Sequence, residues 1–163
     1  HFAERFGRNL SRLERDQNGE VVPGCAKLYS EKPDKFAAAR RGAGGRIRDL
    51  GQTVVDLDPA FEQGGGYRIL GRLHDQSPKI PLITGWVSRD QALSYLRQAL
   101  ALGPQNTVNQ VFLAEAILNH ERDHQGEARA LLVRCASAAP RPEFLVEDAH
   151  YAEVSRRLLA QMR

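Results

Sequence analysis

The segment His120-Glu121-Arg122-Asp123-His124 fits a pattern in which two histidines four residues apart flank a glutamate. On a helix that spacing sets both imidazoles on one face, where they hold zinc while the glutamate takes a proton from metal-bound water. Glu147, 23 residues past His124, would complete the ligand set of such a metallopeptidase. The composition of the segment argues against this chemistry. Arg122 and Asp123 put charge where a buried catalytic helix is apolar, and the segment falls in the turn between two helical patterns. The expectation is a chain that is not an enzyme, with no catalytic residue, no metal and no cofactor.

Two glycine runs could present backbone amides to an anion. Gly64-Gly65-Gly66 precedes a helical pattern carrying Arg68 and Arg72, and Gly42-Ala43-Gly44-Gly45 lies between Arg41 and Arg46. Neither follows a strand and neither ends in the Lys-Ser/Thr of a phosphate loop, so close helix approach is the stronger reading. No Ser-His-Asp or Cys-His arrangement has supporting context, and His74 and His150 stand alone. Tyr67, Trp86 and Tyr95 could line a pocket beneath the long connection from Gln76 to Arg89. Equally, Trp86 could pin that loop, since a loop of this length needs packing of its own.

The elements that would position these groups follow from an internal echo. Ala92, Leu96, Ala99 and Pro104 recur 36 residues later as Ala128, Leu132, Cys135 and Pro140. A small residue, a large apolar one, a second small one and a proline past the helix end are what stacked helix pairs use to pack on their neighbours. Helices are predicted from about Gly66, over Asp90–Leu102, Thr107–Asn119 and Gly126–Ala138, and over Val146–Met162, where Tyr151, Val154, Leu158 and Met162 form the apolar stripe of a closing helix. Upstream, Phe2, Phe6, Leu10 and Leu13 mark an amphipathic helix, and residues 17–33 read as a connector. Asp34 caps a helix through Phe36–Ala39, and Gly42, Gly44 and Gly45 predict a break or tight crossing before the pattern resumes at Ile47. Pro81-Leu82-Ile83-Thr84 is the one strand-like run. The chain is therefore all-α, read as a basic helix and connector over 1–33 and a helical-repeat unit over 34–163.

Bulk properties agree. An apolar content of 42% and charged content of 26% over 163 residues suit a globular domain, and no apolar stretch approaches a membrane span. Residues 1–48 hold eleven Lys and Arg against six Asp and Glu, and nineteen of the chain's 23 basic residues are Arg. Glu4, Glu14 and Asp16 interleave with Arg5, Arg8, Arg12 and Arg15 at helix-pairing distances, so a solvated helix face outweighs an arm that seeks an acidic partner or anionic membrane surface, and no nucleic-acid partner is expected. Two cysteines, Cys25 and Cys135, are too few for a disulfide framework, and Cys135 takes the place of Ala99 in the echo. The chain begins at His1 with no leader pattern, which leaves room for a removed signal peptide or lipid anchor ahead of it.

Ala92-x3-Leu96-x2-Ala99-x4-Pro104 followed by Leu113-Ala114 resembles the junction of two tetratricopeptide repeats. The run Gly64-Gly65-Gly66-Tyr67-Arg68-Ile69-Leu70-Gly71-Arg72-Leu73, then Pro78, Pro81, Gly85, Asn109 and Phe112-Leu113-Ala114-Glu115, is similar to the TatT-like T components associated with TRAP transporters. Residues 47–138 carry the resemblance; Gly66 replaces the family's usual proline, and the lipid-bearing cysteine is not in this chain. The resemblance implies a right-handed stack of helix pairs that binds or scaffolds through its concave face, with a protein partner or a second copy favoured. It also implies an alternative, a periplasmic small-molecule-binding accessory subunit of an uptake system. Tyr67, Arg68, Arg72, Asn109 and Glu115 are the expected contact residues, lying in the first helices of adjacent repeats. A competing role for Arg68 is a hydrogen bond to Asn109 or Glu115 that ties the two repeats together.

Overall fold

The computed structural model describes residues 33–79 and 84–162. The amphipathic pattern over residues 2–13, the connector and Cys25 lie outside that range, as do Pro81, Leu82 and Ile83. The chain divides into two compact units, residues 1–42 and 43–163. Of the first, the described part is the start of helix α1 (Pro33–Leu57). The second continues through α2 (Gly65–Gln76), α3 (Arg89–Leu102), α4 (Thr107–His120), α5 (Gln125–Ser137) and α6 (Leu145–Gln161). Short 3-10 turns at Phe61–Gln63, Arg122–His124 and Pro142–Phe144 join them, and among the described residues there is no strand. None of these helices is long and apolar enough to cross a membrane.

Of the break or tight crossing expected at Gly42, Gly44 and Gly45, the break does not occur, because α1 runs through all three. Each glycine costs about 1 kcal/mol against alanine in a helix interior, which 25 residues of helix absorb. Gly44 is also where the ring of Trp86 approaches, with Cζ2 3.7 Å from the position a Cβ would take. Nor does Asp34 precede the helix, since α1 already includes Pro33 and Asp34. Two later caps are well formed. Ser88 Oγ accepts from Gln91 N at 3.4 Å ahead of α3, and Asn106 Oδ1 accepts from Val108 N and Asn109 N at 3.0 and 3.2 Å ahead of α4.

The echo residues are the packing points. Ala92, Leu96 and Ala99 of α3 and Ala128, Leu132 and Cys135 of α5 are each wholly buried. Small residues let neighbouring backbones close in: a Cβ at Gly71 of α2 would stand 2.6 Å from Leu96 Cγ and 3.1 Å from Ala92 O. Successive helices from α2 onward pack on one another, and α2, α4 and α6 also touch in turn. One apolar cluster runs through α3, α4 and α5, from Leu93 and Leu96 by Val111, Leu113 and Ile117 to Leu131 and Leu132. Tyr151, Val154 and Leu158 of α6, with Met162 just past its end, pack against it, the stripe expected of a closing helix. Burial at this density supplies most of the stability of helices too short to persist alone.

A candidate binding face on alternate helices

Helices α2, α4 and α6 bring one polar and aromatic row together. On α2, Arg68, Arg72 and Asp75 are spaced so that they share a face, as do Phe112, Glu115 and Asn119 on α4. The Arg72 guanidinium lies 4.3 Å from the centre of the Phe112 ring and pairs with Glu115 at 2.6 Å and Asp75 at 3.1 Å. Phe112 in turn meets Tyr151 of α6 edge to face at 5.9 Å, and Tyr151 meets His150 at 5.1 Å. The row therefore crosses three helices by cation–aromatic and aromatic–aromatic contact.

Arg68 and Asn109 form the tie at one end of the row. Arg68 Nη1 donates to Asn109 Oδ1 at 2.9 Å, with a longer contact of 3.5 Å to Glu62 O. Asn109 is 0% exposed, and its Nδ2 donates to Ala99 O at 2.8 Å, Gln63 O at 2.9 Å and Gly103 O at 3.3 Å. One amide thus satisfies carbonyls from two connections and the end of α3, and its oxygen aims Arg68. The 3-10 turn feeding it is unusual, because Glu62, Gln63 and Gly64 all have positive φ, of 49°, 57° and 84°. Gly64 has a second constraint: a Cβ there would lie 2.9 Å from Ala99 Cα. Burial lowers the pKa of Arg68, against the opposite pull of Glu147 and then Glu62.

Of the expected contact residues, Arg68, Arg72, Asn109 and Glu115 meet in this row. Tyr67 does not join them; it turns toward α3, where its ring is 6.1 Å from that of Tyr95. Tyr95 belongs to a separate cluster around His74, which meets Trp86 edge to face at 5.2 Å. His74 Nδ1 accepts from Ser88 N at 3.1 Å, and Arg48 lies over Trp86 at 5.2 Å, so these side chains fasten the connection from Ser77 to Ser88 onto α1 and α2. Burial lowers the pKa of His74 and the nearby Arg48 lowers it further.

The histidine–glutamate segment is split by the end of α4. His120 closes that helix with Nε2 2.9 Å from Asp75 Oδ1, Glu121 follows it and pairs with Arg97 at 2.7 Å, and His124 lies in the next turn, 60% exposed at its side chain. Glu147 stands 3.5 Å from Arg141. Among the described residues no three metal-binding side chains converge. The amides of Gly42–Gly45 fall in the interior of α1, where the helix itself takes them up.

Sequence reasoning did not find Asp148. It is buried in the first turn of α6 and accepts from Thr107 Oγ1 at 2.7 Å and from Arg141 N, Nε and Nη2 at 2.7, 2.9 and 2.7 Å. These bonds hold its carboxyl well below the usual carboxylate range, the Arg141 side chain being the largest cause. Partners 7 and 41 residues away leave no local pattern to read. Comparison of the chain with protein-family models, with curated proteins and with solved structures finds no match.

Proposed function

We propose that this chain is a non-enzymatic binding module, a stack of tetratricopeptide-like helix pairs closed by α6, which engages a protein partner on the face formed by α2, α4 and α6. The observation that carries this reading is the row Arg72–Phe112–Tyr151, in which half-buried arginine and aromatic side chains from three alternate helices meet. Arginine and the larger aromatics are the residue types that dominate recognition surfaces, the aromatics because they bury much area with few rotamers to freeze and arginine because its planar guanidinium both pairs and stacks. The repeat architecture is supported by the matched burial of the echo residues and by contact between alternate helices. A polar, partly exposed row suits a protein partner, whereas a small-molecule site is typically an enclosed, mostly apolar pocket.

The test is recovery of a partner from the cells that make this protein. Asn119 and His150 are exposed at the edge of the row, and Val133 is exposed on α5. A tagged chain and its Val133→Glu variant should retain the same partner, while a double variant Asn119→Glu, His150→Glu should lose it with its helical circular dichroism retained. Equal recovery by all three would refute the reading.

A further inference from the structure

Helix α1 leaves an apolar row uncovered. It turns Gly44, Gly51 and Val55 inward, where Trp86, Leu70 and Gly66 are their neighbours. Ile47, Leu50, Val54 and Leu57 follow on an adjoining arc, spaced three, four and three residues apart. Ile47 is 43%, Leu50 64% and Leu57 82% exposed, and Val54 is half-buried. A helix that only faces a core carries a wider apolar face. A strict alternation of three and four is the narrow seam by which one helix pairs with another.

We infer that this row pairs, antiparallel, with the same row on a second copy of the chain. A two-fold axis beside Gln52 sets Ile47 against the second copy's Leu57 and Leu50 against its Val54. Every layer then joins a β-branched residue to a leucine. Charge favours the same orientation. Arg46 and Arg48 stand at one end of the row, and Asp56 and Asp58 at the other. Arg48 already pairs with Asp49 at 2.9 Å, whereas Arg46 is exposed and makes no ion pair among the described residues. Antiparallel pairing brings each Arg46 end beside an acidic end; parallel pairing would set like charges and like helix ends together. A lipid surface fits less well, because three aspartates lie along the same stretch and anionic headgroups would repel them. Two heptads are short for a free coiled coil, but α1 is already folded against α2, so association costs no helix formation. The patch is smaller than a standard interface, which makes the dimer weak and dependent on concentration. It uses no residue of the row on α2, α4 and α6.

Sedimentation equilibrium of the full chain from about 5 μM to about 1 mM tests this. A monomer–dimer equilibrium should appear, with a Kd of about 10–500 μM and no larger species. Leu50→Glu and Leu57→Glu should each weaken it at least about tenfold while keeping helical circular dichroism, since both side chains are exposed in the single chain. Val146→Glu, at a position 87% exposed on α6, should dimerise as the wild type does. Charge exchange reads the orientation: Arg46→Asp should weaken the dimer about two- to fivefold, and adding Asp56→Arg should restore it. The exchange also carries the test if the leucine variants do not fold. A monomer at every concentration, trimers or larger species, or a dimer indifferent to Leu50→Glu and Leu57→Glu would overturn the inference. Loss on Arg46→Asp without recovery on adding Asp56→Arg would refute the antiparallel pairing. A monomeric chain that floats with phosphatidylglycerol vesicles, and ceases to on Leu57→Glu, would assign the row to a lipid surface instead.

Discussion

Asn109 concentrates more of this fold's polar bonding than its position in the middle of a helix suggests. Its side chain serves three backbone carbonyls and Arg68 while wholly buried, so Asn109→Ala takes a bond from all four, although Ala99 O and Gly103 O keep backbone partners. Thermal or denaturant unfolding should show a loss of about 2–4 kcal/mol, and no loss would mean that these bonds do not hold the connections together. Arg68→Ala should cost less, about 1–3 kcal/mol for one charge-assisted bond. Two titrating groups make stability fall toward acid, each in its own pH window. Asp148 has a folded pKa below its ordinary 3.8, so its contribution is present above that value and lost as pH falls below it. Melting across pH 2–7 should therefore show a steeper acid loss in the wild type than in Asp148→Asn. His74 has a folded pKa below its ordinary 6.5, so protonation favours the unfolded chain and stability drops as pH falls below about that value. His74→Gln should lose that part of the slope. The sequence marked Arg68 and Asn109 through a family pattern, but nothing local announced Asp148, whose partners are set by the fold rather than by spacing.

At the scale of the helices, periodicity was a good guide because burial is what it measures. The echo pairs Ala92 with Ala128, Leu96 with Leu132 and Ala99 with Cys135, and all six are fully buried. The boundaries drawn for α3, α4, α5 and α6 from apolar spacing lie within a residue of the observed ones. Equivalent positions should behave alike: Leu96→Ala and Leu132→Ala should each cost about 2–5 kcal/mol in denaturant unfolding, while Val133→Ala, one residue on and exposed, should stay within about 0.5 kcal/mol. A large difference between the two leucines would undercut their equivalence. At α1 three glycines were read as a break or a tight crossing, and the break did not occur. Propensity is a local cost, and it was overridden where Gly44 gives Trp86 a place to pack. The packing role of Gly66 is similar, since Val55 Cγ2 lies 2.9 Å from where its Cβ would be.

Across α2 to α6, small-to-large packing holds the helices together, and α2, α4 and α6 bring charge and aromatic rings into one row. Arg72, Phe112 and Tyr151 come from segments 40 and 39 residues apart in sequence, and contact among α2, α4 and α6 is what assembles them. That assembly was legible only as far as the repeat was. The period implied that first helices of successive pairs line up, but which side chains would meet depended on α6, which lies outside the echo. The most direct measurement is photo-crosslinking in the cells that make the protein, with a benzophenone amino acid placed singly at 119, 150, 129 or 133. The account predicts one crosslinked species shared by positions 119 and 150, on the α4 and α6 edge of the row, and absent at 129 and 133 on α5. Crosslinks confined to 129 and 133, or spread equally over all four positions, would contradict it.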